Sequence, residues 1–146
     1  MLASTEAGIA FSNASVTLIH GMSRPIGALY HVPHGLSNAM LAPLVTGFSV
    51  GGEISKYAQV SRMLGGVESG TSDEDAADKL QGLLISLNKE LKVPSMKEWG
   101  INEEQFRKSV PLMAKAALDS GSPGNNPIIP TQQQIEQLYH DIWDSN

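Results

Sequence analysis

The run His20-Gly21-Met22-Ser23-Arg24-Pro25-Ile26-Gly27-Ala28-Leu29-Tyr30-His31-Val32-Pro33-His34-Gly35 decides how this chain folds. It holds three of the four histidines, together with two prolines and three glycines. Apolar stretches lead into it and out of it, so the pattern predicts a helix, a sharp corner and a second helix, with imidazoles at the corner. On one straight helix His20 and His34 would stand about 21 Å apart, at ~1.5 Å of rise per residue. They can act together only if the chain turns between them. Pro25 and Pro33 disfavour helical backbone in the residue before each, and Gly21, Gly27 and Gly35 permit tight turns. Two readings stay open for the pair. The rings could share a transition metal, for which imidazole is a suitable ligand, or each could be satisfied by backbone carbonyls at a helix–loop–helix corner.

Outward from the corner the chain reads as helices throughout. Residues 3–22 place Ala3, Ala7, Ala10, Phe11, Ala14, Leu18 and Met22 at three- and four-residue steps. With so few charges this helix is expected to be central, carrying His20 in its last turn. A second helix is expected from Pro33-His34-Gly35 through Leu44, kinked or cut at Pro43 and ended by Val50-Gly51-Gly52. Residues 53–64 read as a short helix with Ile54, Tyr57, Ala58 and Met63 or Leu64 inward, stopped by Gly65-Gly66. Thr71 and Glu74 have the capping-box spacing, and behind them Ala76, Ala77, Leu80, Leu83, Leu84, Leu87 and Leu91 form an apolar stripe that is expected to be core. Val93-Pro94 stops that helix. Asn102 is expected to cap a short turn through Phe106, and Ser109 a separate helix with Pro111 in its first turn. Thr131 and Gln134 make a second capping box for a last helix with Ile135, Leu138, Tyr139 and Ile142 inward. Trp99 and Trp143 read as packing anchors, His31 as an exposed loop histidine and His140 as a helix-end residue suited to the dipole. No stretch has the period-two alternation of a strand, so the fold class is all-α.

The 146 residues fit one domain with a reasonable core. A net charge of −5 with scattered basic residues argues against a nucleic-acid or acidic-membrane surface. No apolar run has the ~18–20 residues needed to span a membrane, and the start lacks the basic character of a signal peptide. Zero cysteines exclude disulfides and thiolate ligands, which fits a cytoplasmic protein.

Gly8-Ile9-Ala10-Phe11-Ser12-Asn13-Ala14, followed by His20-Gly21-Met22, Pro25-Ile26-Gly27-Ala28, Pro33-His34-Gly35 and Asn38-Ala39-Met40-Leu41, resembles the iron-containing (group III) alcohol dehydrogenase family. The resemblance continues through Ala114-Lys115-Ala116-Ala117-Leu118-Asp119 and Gly124-Asn125-Asn126-Pro127 to Leu138-Tyr139-His140-Asp141-Ile142-Trp143. It implies a helical domain of dehydroquinate synthase-like architecture. In such enzymes an N-terminal α/β domain binds NAD or NADP. A C-terminal helical domain holds Fe2+, sometimes Zn2+, through one Asp and three His. By motif position His20 and His34 match the last two histidines.

The Asp and the first His of that set are expected upstream of residue 1. Residues 1–146 are therefore expected to be the later part of the metal-binding domain. The nucleotide-binding domain is then a missing partner and the isolated chain inactive. The implied reaction is hydride transfer between a small alcohol or aldehyde and NAD(P), in a homo-oligomer. The rival expectation is a non-catalytic helical interaction module. Where many family members carry a further histidine near the nicotinamide, this chain has Arg24, which stays protonated and cannot relay a proton. Arg24 is expected either to favour a carboxylate-bearing or phosphorylated substrate, or to pair with an acidic side chain or the cofactor's phosphates.

Overall fold

The computed structural model describes residues 1–145, and among them every regular element is a helix. In chain order these are α1 (Leu2–Ala14), α2 (Leu18–Tyr30), α3 (His34–Ser49), α4 (Ile54–Met63), α5 (Asp73–Glu90), α6 (Glu103–Asp119) and α7 (Gln132–Asp144). Short 3-10 turns at Val50–Gly52 and Ser122–Asn125 follow α3 and α6. The main body packs α2 against α3 and α6, and α6 against α7, while α5 lies on α3 and α4 on α5.

The core sits where α2, α3, α6 and α7 meet. Leu18, Met22, Ile26, Leu41, Val45, Phe106, Met113 and Tyr139 are fully buried there. Phe106 stacks on Trp143 at 4.8 Å and meets Tyr139 edge-on at 6.2 Å, an arrangement that suits the ring quadrupoles. The Tyr139 hydroxyl donates to the Met22 carbonyl at 2.7 Å and so ties α7 to α2. A smaller cluster of Val50, Ala58, Ala76 and Ala77 joins α4 to α5.

The expected helix over residues 3–22 is two helices. The break falls at Ser15–Thr17, where Ser15 takes a positive φ (68°) with extended ψ and its amide closes α1 on the Phe11 carbonyl. α1 is not central either, because none of its residues is buried. The prolines interrupt less than expected. Pro25, Pro43 and Pro111 all lie inside helices. At Pro43 the reason is visible: a proline orphans the carbonyl four residues back, here Ala39, and the Asn88 side-chain amide of α5 donates to it at 2.7 Å. Residues 103–119 are one helix. Asn102 caps it through the Gln105 amide, as expected, whereas the Ser109 hydroxyl donates back to the Gln105 carbonyl instead of capping.

The first capping site lies one residue beyond the expected one. Ser72 accepts from the Asp75 amide and donates to its carboxylate, and the Thr71 hydroxyl turns to the Glu68 carbonyl. The Thr131–Gln134 box forms as expected. The α5 stripe is core only at its start: Ala76, Ala77 and Leu80 are buried, while Leu87 and Leu91 are exposed. Met63 and Leu64 also face out. Trp143 is a packing anchor, but Trp99 is 41% exposed and is not one.

Candidate metal centre

His20 sits in the first turn of α2, not in the last turn of the helix before it, and His34 opens α3. The corner between them is correspondingly shorter than the motif suggested. α2 runs straight through Pro25 and Gly27 to Tyr30, and the reversal is confined to His31, Val32 and Pro33. His31 takes the left-handed conformation (φ 55°) that closes α2, its amide bonded to the Gly27 carbonyl. A left-handed non-glycine residue is uncommon, and histidine is among the few types enriched there. Pro33 then supplies an extended backbone from which α3 starts. With α2 and α3 folded back on each other, the His20 and His34 rings come within 5.2 Å, centre to centre, at a 53° tilt.

Hydrogen bonds on both ring nitrogens orient His34. Ser23 Oγ lies 3.2 Å from the His20 carbonyl and 3.3 Å from His34 Nδ1, within hydrogen-bond reach of both. The other ring nitrogen, Nε2, lies 3.1 Å from the Asn38 side-chain amide. Asn38 is then left with a buried Oδ1 that has no hydrogen-bond partner. The His20 imidazolium is disfavoured, first by burial, then by the positive influence of His34 and Arg24. Both effects keep that ring neutral, the state in which it can donate a lone pair.

Two imidazoles from different helices at this separation fit part of a transition-metal donor set, in which His34 Nε2 would exchange its Asn38 contact for the metal. Among the described residues no group of three or more His, Asp or Glu converges. Arg24 lies one turn after His20 on α2 and donates through Nη1 to the Ser122 hydroxyl at 3.1 Å. His31 is exposed and outside this group, as expected. His140 lies elsewhere, 3.4 Å from Arg107 on the α6–α7 face. A separate cavity of about 680 Å³, lined by Met40, Leu44, Ile85, Val93 and Pro94, contains neither histidine of the pair.

The profile of the Fe-containing alcohol dehydrogenase family, C-terminal, matches residues 1–143. The chain belongs to the iron-containing alcohol dehydrogenases. It is 36% identical to lactaldehyde reductase of Escherichia coli over 94% of its own length and 35% of that protein's. To 1,3-propanediol dehydrogenase of Klebsiella pneumoniae it is 33% identical over 97% of its length and 36% of the relative's. The crystal structure of a 1,3-propanediol oxidoreductase superposes with a TM-score of 0.86 at 30% identity, covering 93% of this chain and 35% of that one. An iron-containing alcohol dehydrogenase from Thermococcus thioreducens gives 0.84 at 33% identity, over 99% and 36%. The chain thus spans about a third of the length of these relatives.

Within this alcohol dehydrogenase domain, three residues around the histidines escaped sequence reading. Ser23 and Asn38 orient His34, and Ser122 holds Arg24. Asn38 was within reach, since it stands four residues after His34, one helical turn along the same face. Ser122 was not, because its contact crosses from α2 to a turn that lies far along the chain.

Proposed function

We propose that this chain supplies two of the metal ligands, His20 and His34, of an alcohol dehydrogenase that transfers hydride between a small alcohol or aldehyde and NAD or NADP. The observation that carries the proposal is the 5.2 Å approach of two imidazoles from different helices. Family membership gives that pair its meaning. A divalent iron or zinc ion held there would polarise the oxygen of the reacting carbonyl. The chain's own contributions are positional. Ser23 and Asn38 orient the His34 ring, burial favours neutral His20, and the α2–α3 corner holds the two rings together. Arg24 stands beside them as a fixed cation and cannot pass protons.

In this reading the remaining Asp and His ligands and the NAD(P) site belong to the part of the relatives' architecture that the chain does not span. Residues 1–146 are then the later part of the metal-binding domain, inactive by themselves. Among the described residues no helix is long and apolar enough to cross a membrane. Cytoplasmic placement and homo-oligomer assembly are part of the same proposal. The interaction-module alternative draws on α1, an apolar helix that exposes Leu2, Ile9 and Phe11.

Metal content decides between the two. We expect weak, substoichiometric iron or zinc in the 146-residue chain, and tight, stoichiometric metal in a protein extended upstream to the length of the relatives. His20→Ala and His34→Ala should each abolish the tight binding. Tight binding by the short chain alone would overturn the shared-site reading, and no metal in either protein would leave the interaction module.

A further inference from the structure

Arg24 differs from the other two arginines. Arg62 pairs with Asp73 at 2.8 Å, and Arg107 pairs with both Glu103 and Asp144. Among the described residues no carboxylate pairs with Arg24, although the chain carries a net charge of −5 and offers acidic side chains in excess. Its partner is the buried hydroxyl of Ser122, which is neutral. That contact orients the guanidinium without cancelling its charge.

The seat is built by close packing. Gly21, one turn before Arg24, lies so near the Ser122–Asn125 turn that a Cβ there would come within 3.0 Å of Pro123 Cδ. This approach brings α2 onto the turn and places Ser122 within reach of Arg24. Ser122 follows Gly121, whose left-handed backbone (φ 74°) sets the turn's direction. The guanidinium carries five N–H donors in a fork, of which the Ser122 bond uses one. Such a fork matches a carboxylate or phosphate in bidentate fashion. It stands one helical turn from His20 and is exposed at that corner.

We propose that Arg24 binds an oxyanionic group, a carboxylate or phosphate, on the molecule that reacts at the His20–His34 corner. The substrate class is then a small alcohol or aldehyde that also carries an acid group. This deepens the proposed function and rests on it for the reaction, but the anion contact itself belongs to this chain and needs no bound metal to be seen.

The test uses the 146-residue chain with its arginines isotopically labelled, observed by NMR. The probes are glycolate, inorganic phosphate, ethylene glycol as a neutral alcohol of glycolate's size, and NADP. The Arg24 Nε–Hε and Ser122 amide resonances should shift saturably with glycolate and with phosphate, and not with ethylene glycol. Arg24→Gln should weaken glycolate binding about tenfold, the loss expected for a charge-assisted hydrogen bond. Arg24→Lys, a point charge without the fork, should restore only part of it. Unchanged spectra for the core in both variants establish that the fold is intact.

Equal responses at Arg62, Arg107 and the lysines would mean an adventitious ion only and would overturn the proposal. So would unaltered binding in Arg24→Gln, or a response to NADP with none to glycolate. Metal uptake by the upstream-extended protein, measured in parallel for the wild type and Arg24→Gln, separates the two ideas. If metal is never bound while Arg24 still takes glycolate, the dehydrogenase reading fails and the anion site stands. Normal uptake without an Arg24 response has the opposite meaning.

Discussion

α1 and α2 are consecutive helices of the same length, both poor in charge, and they behave in opposite ways. α2 buries Leu18, Met22, Pro25 and Ile26 and carries His20. α1 buries nothing, and its Leu2, Ile9 and Phe11 stand in solvent. Composition does not separate them. What does is the arrangement of apolar residues: α2 gathers them on one face, while α1 sets Leu2 and Ile9 on one side and Phe11 on the opposite one. A helix with apolar side chains on opposite sides needs neighbours on both to bury them, and no residue of α1 is buried. Its junction with α2 is held to the body by the Asn125 amide, which donates to the Ser15 hydroxyl (3.3 Å) and the Val16 carbonyl (3.1 Å). The histidine corner therefore belongs to the buried member of the pair.

Two phenylalanines give the contrast its largest expected effect. Phe106 is fully buried against Tyr139 and Trp143, so Phe106→Ala should cost about 3–5 kcal/mol in urea unfolding. Phe11 is 57% exposed in α1, and Phe11→Ala should change stability by less than about 0.5 kcal/mol. Comparable losses at both sites would mean that α1 packs onto something, and a loss that deepens with protein concentration would identify a second copy as its cover.

The same contrast explains what the sequence could and could not disclose. Signals confined to one turn were legible: the Thr131–Gln134 box, the Asn102 cap, the Gly65 stop and the Pro33-His34 start of α3 all formed where local chemistry placed them. The α1–α2 break was hidden because Ser15-Val16-Thr17 contains neither glycine nor proline, and the positive φ falls on a serine. Pro43 misled because its compensation is tertiary: nothing local says that Asn88 will reach Ala39. The histidine pair was legible as a need for a corner. Its partners were only half so, with Asn38 one turn from His34 and Ser122 supplied from across the fold.

A smaller effect concerns the tie that α1 lacks. The Tyr139 hydroxyl binds the Met22 carbonyl inside the core, and burial pushes its ionisation well above the ordinary phenol range. Tyr139→Phe should cost about 1–2 kcal/mol near neutral pH, because it leaves a buried carbonyl without its donor. The pH dependence has a definite sign. In the unfolded chain the phenol loses its proton near pH ~10, while the folded chain keeps it. The stabilisation is therefore complete below that pH and is lost as pH rises above it. Unfolding curves recorded from pH 8 to 11 should show wild-type stability falling more steeply than that of Tyr139→Phe. Parallel curves would mean that the hydroxyl reaches water and that α7 does not clamp α2.

The smallest effect turns on two glycines. An alanine Cβ at Gly8 of α1 would meet nothing within 4 Å, so Gly8→Ala should add about 0.5–1 kcal/mol through helix propensity alone. At Gly21 of α2 the same methyl would sit 3.0 Å from Pro123 Cδ and 3.1 Å from Cγ, tighter than side chains normally tolerate. A proline ring cannot rotate aside, and overpacking of this kind costs about 1–3 kcal/mol. Set against the propensity gain, Gly21→Ala should be a net loss of about 1 kcal/mol, opposite in sign to Gly8→Ala. The substitution also pries α2 from the turn that presents Ser122, so it should loosen Arg24 from its seat without touching Arg24 itself. If Gly21→Ala instead stabilises the chain as much as Gly8→Ala does, α2 is not pressed onto that turn. The fixed cation beside the histidines would then lose the packing that fixes it.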